Sequence, residues 1–298
     1  MPHNAAAPPT WHTAALTATA LLAFAGNSLL CRLALKQTAI DAASFTSVRL
    51  LSGALVLVLL VAWRQRGAAT SGEPWRAGSW GSAWALFVYA AGFSLAYLQL
   101  SAATGALLLF GVVQTSMIGW GLWRGERLRP LQWLGLATAS AGLVWLLLPG
   151  LAMPSPAAGA LMAAAGVAWA VYTLRGRGAG DATAVTAGNF LRAAPLALMA
   201  SAAAFAIGAP LRWDLAGLVL ASASGALASG LGYAIWYSAL RGLSATSAAI
   251  FQLTVPALAT AGGALLLGEA LTPQLIGASV AVLGGVALVI MARRQSGH

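Results

Sequence analysis

The chain has 298 residues, 60% of them hydrophobic and only 7% charged, with a net charge of +10. No soluble domain of this length has a core large enough for so much apolar surface, so the composition describes an all-α integral membrane protein. The basic residues sit in short gaps between apolar runs, which is the pattern of membrane topology and argues against a nucleic-acid partner.

A bilayer core about 30 Å thick takes roughly 20 apolar residues per helix. Breaks at Pro, Gly and charge predict ten spans, near 11–35, 42–63, 79–100, 102–122, 131–149, 157–175, 182–207, 213–240, 245–267 and 273–292. No basic stretch precedes the first apolar run, so it is expected to stay as a span and not to be cleaved as a signal peptide. Cys31, the single cysteine, permits no intrachain disulfide and reads as a small buried residue.

Polar and aromatic side chains mark particular spans. Phe24, Asn27 and Ser28 lie in the first, and Arg49 in the second. Tyr89, Phe93 and Tyr97 follow one another at four-residue spacing in the third, on one helical face. Gln114 lies in the fourth, Trp169 and Tyr172 in the sixth, Arg192 and Pro195 in the seventh. The eighth carries Ser229, Tyr233, Trp236 and Tyr237, and the ninth Gln252 and Pro256. Buried amides such as Gln114 and Gln252 are expected to face the protein interior, because lipid offers them no partner. Trp11, Trp63, Trp80, Trp123, Trp133 and Trp213 fit interfacial anchors. Arg32, Arg49 and Arg192 are expected to snorkel to an interface or to bind helix carbonyls, with a gate or a carboxylate contact as the alternative. Pro195 and Pro256 interrupt the backbone ladder and are candidate hinges.

Lys and Arg in alternate gaps fall mostly on one side: Arg64, Arg66, Arg76, Arg124, Arg127, Arg129, Arg175, Arg177, Arg241, Arg293 and Arg294, against Lys36 and Arg212. The positive-inside rule then puts both termini in the cytoplasm. The acids Asp41, Glu73, Glu126, Asp181, Asp214 and Glu269 all fall in gaps or at helix ends, which argues against a central membrane carboxylate.

The phrase Gly125, Glu126, Leu128 and Pro130 recurs as Gly268, Glu269, Leu271 and Pro273, and the same offset separates Arg49 from Arg192. Two copies of five spans, residues 1–150 and 151–298, enter the membrane from opposite sides, an architecture of secondary transporters with a site between the halves. The paired phrase, each followed by a glycine-studded helix, resembles the EamA family of the drug/metabolite transporter superfamily, and within it the amino-acid exporter branch.

The resemblance implies ten helices as two inverted five-helix repeats around a central cavity lined by spans one, three, four, six, eight and nine. It further implies export of aromatic, hydrophobic and other amino acids across a bacterial-type inner membrane by alternating access. The alternative is a broad drug or metabolite exporter. Expected substrate-binding residues are Phe24, Asn27, Tyr89, Phe93, Tyr97, Gln114, Trp169, Tyr172, Ser229, Tyr233, Trp236, Tyr237 and Gln252. An enzyme is not expected, because His3, His12 and His298 lie near the chain ends and no acids pair within a span. No cofactor or metal is expected. The expected partners are a small-molecule substrate and the lipid bilayer, in a monomer or a homodimer. The glycine pairs Gly135 with Gly142 and Gly277 with Gly284 suit close helix packing, within the chain or between protomers.

Overall fold

The computed structural model describes residues 11–65, 77–125, 128–148, 155–176, 181–240, 243 and 251–294. Glu73, Glu126, Arg66, Arg76, Arg127, Arg177, Arg241, His3 and His298 lie outside them. The described residues are helical, with no strand among them. The helices are α1 (Trp11–Gln37), α2 (Ala42–Gln65), α3 (Trp80–Tyr97), α4 (Ala102–Trp123), α5 (Pro130–Leu147), α6 (Pro156–Gly176) and α7 (Ala182–Ala206). There follow α8 (Leu215–Ala223), a π-helical stretch (Ser224–Leu231), α9 (Gly232–Leu240), α10 (Thr254–Leu267) and α11 (Pro273–Arg294). Among the described residues six helical runs are long and apolar enough to cross a membrane: α1, α2, α4, α6, α7 and the run through α8 and α9. Large apolar side chains such as Leu55, Leu59, Val219, Leu265 and Val280 cover the outside, as a lipid-facing surface requires.

Helix starts are fixed by local chemistry. Asp41, Asp181 and Asp214 accept backbone N–H groups in the first turns of α2, α7 and α8, and Ser79 and Ser101 do the same for α3 and α4. Of the acids that fall in gaps, these three aspartates are therefore caps. The repeated phrase is a helix stop and restart. Gly125 (φ 88°) and Gly268 (φ 63°) take the left-handed conformation after α4 and α10, where a Cβ would be strained. Pro130 and Pro273 then open α5 and α11, where a missing N–H is harmless.

Asp41 does more than cap. Its N–H donates to the Arg212 carbonyl at 2.9 Å, and the Arg212 N–H donates to Oδ2 at 2.7 Å, clasping the α1–α2 turn to the segment before α8. Burial raises the Asp41 carboxyl, but hydrogen bonds from Ser44, Arg212 and Ala43 together outweigh it and hold the group below its usual range. A depressed carboxyl contributes stability above its unfolded value, which is lost as pH falls through the folded one. Melting curves of wild type and Asp41→Asn are therefore expected to differ most near neutral pH and to converge below about pH 4; a gap independent of pH would refute this assignment.

Helices α5 and α11 pack against each other along glycines. A Cβ on Gly285 would lie 2.5 Å from the Gly135 carbonyl oxygen and 2.6 Å from the Ala139 nitrogen, and one on Gly142 would lie 2.8 Å from the Ala281 Cβ. Gly277 faces the Trp145 ring, whereas Gly284 faces open space. The close packing of Gly135, Gly142 and Gly277 is thus within the chain, and Gly285 rather than Gly284 supplies the tight approach. Because the obstacle at Gly285 is backbone, Gly285→Val should destabilise the protein by about 2–3 kcal/mol, and Gly284→Val by far less. Thermal melting in detergent compares the two.

The two proline sites differ. Helix α7 runs continuously through Pro195. Pro256 is in the first turn of α10, and the helical path breaks at Leu253, between the helical residues 251–252 and Thr254. With no N–H, Pro256 cannot bond the carbonyl of Gln252, which is why the ladder restarts there.

Candidate functional site

At the centre of the bundle, seven aromatic rings follow one another edge to face or tilted. Trp236 packs on Phe24 (centroids 5.7 Å apart), Phe24 on Tyr233 (5.8 Å) and Tyr233 on Trp169 (5.0 Å). Trp169 meets Tyr89 at 4.7 Å, Tyr89 meets Phe93 at 5.4 Å, and Phe93 meets Tyr97 at 4.7 Å. These spacings are those of favourable ring pairs. The rings come from α1, α3, α6 and α9, so distant parts of the chain must pack together to assemble them.

Six expected residues, Phe24, Asn27, Tyr89, Phe93, Trp169 and Tyr233, line a cavity together with Ser28, Leu109 and Phe110. Its volume is about 20 Å³, room for roughly one water and far below the ~300 Å³ of an ordinary ligand pocket. The rings are therefore closed on one another, and the cavity as it stands is too small for a solute of amino-acid size.

The other expected residues are not part of this lining. Tyr97 stacks behind Phe93 and donates its hydroxyl to the Ala102 carbonyl at 3.4 Å. Tyr172 packs on Trp169 at 5.5 Å, and Trp236 backs Phe24. Tyr237 is partly buried near the end of α6, where its hydroxyl faces Gly176. Gln114 is buried on α4, and Gln252 is half-buried just before α10. No α10 residue reaches the cavity lining.

Arg49 departs from the sequence expectation. It does not snorkel: it is 1% exposed, and it sits directly behind the cavity wall. Its Nε donates to Ser229 Oγ at 3.2 Å and its Nη2 to the Tyr89 hydroxyl at 3.1 Å. The guanidinium carbon lies 4.9 Å from the Phe93 ring centroid and 5.2 Å from that of Tyr89. Nη1 is buried and has no hydrogen-bond partner among the described residues. A buried cation without a counter-ion costs several kcal/mol, and two desolvated ring contacts at about 2 kcal/mol each offset only part of that. By contrast, Arg192 follows the expectation, donating Nη1 to the carbonyls of Ala77 at 2.6 Å and Gly188 at 2.8 Å.

The π-helical stretch explains how Ser229 reaches Arg49. Ser224 donates to Asn27 Oδ1 at 2.7 Å, Asn27 Nδ2 donates to the Tyr89 hydroxyl at 3.4 Å, and Ser229 accepts from Arg49. In an α-helix two residues five apart point about 140° away from each other. The wider π turn brings Ser224 and Ser229 nearly to one face, so α1, α2, α3 and this stretch share one polar network. Ser229 therefore belongs to the π stretch, whereas Tyr233 and Tyr237 follow it on α9. Sequence reading missed Ser224 and Phe190, whose ring lies 6.0 Å from that of Tyr233. The available signal was the Ser/Gly-rich run Ser222–Gly232, which is unusual inside an apolar span.

A second charged site lies at the end of α10. Glu269 Oε1 accepts from Arg32 Nε at 3.1 Å, and Oε2 accepts from the first N–H of α4, on Ala102, at 2.7 Å. Arg32 Nη1 also donates to the carbonyls of Tyr97 at 2.9 Å and Leu98 at 3.2 Å. One carboxylate thereby ties α1, the α3–α4 turn and the end of α10.

Residues 157–291 match the model of the EamA-like transporter family. An uncharacterized protein of Pseudomonas aeruginosa is 56% identical over 285 residues, covering 96% of each chain. The chain belongs to the EamA-like transporter family. Another relative, an uncharacterized transporter of Archaeoglobus fulgidus, is 26% identical over 253 residues, 81% of this chain and 84% of the other. A solved crystal structure superposes with a TM-score of 0.65 at 22% identity, covering 95% of this chain and 99% of that one; that likeness concerns the fold alone. For this EamA-like protein, family and apolar helices agree on a multi-pass transmembrane transporter.

Proposed function

We propose that this EamA-like protein is a secondary transporter that exports amino acids, chiefly aromatic and hydrophobic ones, across a bacterial-type inner membrane by alternating access. The observation that carries this reading is the ring-lined central cavity, whose walls offer stacking faces and a few neutral polar groups and no acid. Such a lining favours a flat or apolar side chain. In this reading ten spans form two inverted five-helix repeats with both termini in the cytoplasm. The shared geometry of the two glycine–proline connectors and the alternating basic residues support it. The contracted cavity is then an occluded state. In this reading Pro195, inside the continuous α7, and Pro256, beside the break at Leu253, are the hinges that open it.

A broad exporter of cationic drugs fits less well, because the Arg49 guanidinium sits against two of the lining rings and repels a cation. Purified protein in proteoliposomes tests the proposal through uptake of labelled Phe, Trp, Leu and Thr beside a cationic dye. Saturable amino-acid uptake is expected; uptake of the dye with none of the amino acids would refute it.

A further inference from the structure

The aromatic lining accounts for a side chain but not for the charge that every amino acid carries on its carboxylate. Among the described residues every acid is already engaged at a helix end: Asp41, Asp181 and Asp214 as caps, Glu269 with Arg32 and Ala102. Arg49 has none of them for a partner. Its Nε and Nη2 are held by Ser229 and Tyr89, which fixes the guanidinium plane and leaves Nη1 unpartnered beside the cavity wall. Tyr89 and Phe93, whose rings it touches, belong to that wall.

We propose that Arg49 Nη1 is the anchor for the carboxylate of the transported solute, reached when the Tyr89 and Phe93 rings part. The proposal rests on the amino-acid reading above and assigns its polar end. Nε and one N–H of Nη2 are spent on the protein, so Nη1 is the nitrogen left to meet an anion. That suits a single carboxylate and disfavours a phosphate dianion, which calls for a fork of several donors. Asn27, already joined to the same Tyr89 hydroxyl, is placed to share the second carboxylate oxygen. The faces of Trp169 and Tyr233, which also line the cavity, suit the ammonium group and the side chain. Arg192, at the corresponding place in the second half, has its Nη1 bound to two carbonyls and offers no such anchor. The site is therefore one-sided although the sequence repeats.

The test compares molecules that differ only in the carboxylate. Full-length wild type, Arg49→Gln and Arg49→Lys are reconstituted, and uptake of labelled phenylalanine is competed with unlabelled phenylalanine, phenylalaninamide or phenethylamine. Wild type is expected to prefer phenylalanine over the amide by at least about tenfold. Arg49→Gln should lose that preference, and Arg49→Lys should keep part of it. A folded Arg49→Gln protein with the wild-type ratio overturns the proposal.

If neither variant folds, thermal melting of wild type decides. Stabilisation by phenylalanine and benzoate, but not by phenylalaninamide and benzamide, supports the anchor, and equal effects overturn it. Because benzoate is not an amino acid, its selective effect in a protein that moves no amino acid would sink the export reading while retaining the carboxylate site.

Discussion

Gly225→Val is expected to destabilise the protein by more than about 3 kcal/mol and to leave little of it monodisperse in detergent. Gly225 lies in the π-helical stretch, where a Cβ would overlap the carbonyl oxygen of Arg49 and the hydroxyl of Ser52 on α2. The facing positions are also bare. A Cβ on Gly53 would sit 3.0 Å from the Gly225 oxygen, and one on Gly230 would sit 3.3 Å from the oxygens of Gly53 and Gly225. Three glycines thus let two backbones meet, a contact that no side-chain rotation can relieve. Separating them would also draw Ser229 away from Arg49 and Ser224 away from Asn27, so the loss should couple packing to the polar network. Gly26 is the matched control, because a Cβ there meets nothing within 4 Å. Gly26→Ala should be neutral or slightly stabilising, by up to about 1 kcal/mol, since Ala is the better helix former. Melting temperatures of the two variants in one detergent give the comparison; similar losses at Gly225 and Gly26 would refute the close-contact account.

Glu269→Gln is expected to cost about 2–3 kcal/mol. The side chains of Arg32 and Glu269 are only 14% and 7% exposed, so the pair is shielded from water. Glutamine still offers an oxygen to the Ala102 N–H, but it leaves Arg32 with carbonyl partners alone and removes a negative charge from the start of α4, where the helix dipole favours one. Arg32→Gln in the Glu269→Gln background should cost less than it does alone, because the stranded charge is gone. A double-mutant cycle on melting free energies reads this coupling; additive losses would mean that the pair contributes only through its separate backbone bonds.

How much of this was legible in the sequence depended on the scale of the feature. Helix positions were, because apolar runs bounded by Asp, Gly and Pro leave few alternatives. The expected span 42–63 is α2 at Ala42–Gln65, and 131–149 is α5 at Pro130–Leu147. The aromatic face of α3 could be read from spacing alone. The environment of Arg49 could not. Snorkelling is the usual outcome for an arginine in an apolar helix, and what holds it inside is a wall of rings from α3 with Ser229 from a stretch far along the chain. The π turn was also hidden, since serines five apart carry no α-helical signal. Glu269 reads in the sequence only as an acid at a helix end, because nothing local reveals that Arg32, in another helix far back in the chain, comes to meet it.

The central claim is that the ring cluster holds the transported solute, and Trp169 tests it most directly because its ring touches Tyr89, Tyr172 and Tyr233. Labelled phenylalanine uptake is measured in proteoliposomes of wild type and of Trp169→Ala protein that remains monodisperse and folded. The account predicts saturable uptake by wild type and a loss of about tenfold or more in the variant. Uptake by Trp169→Ala at the wild-type rate would contradict it.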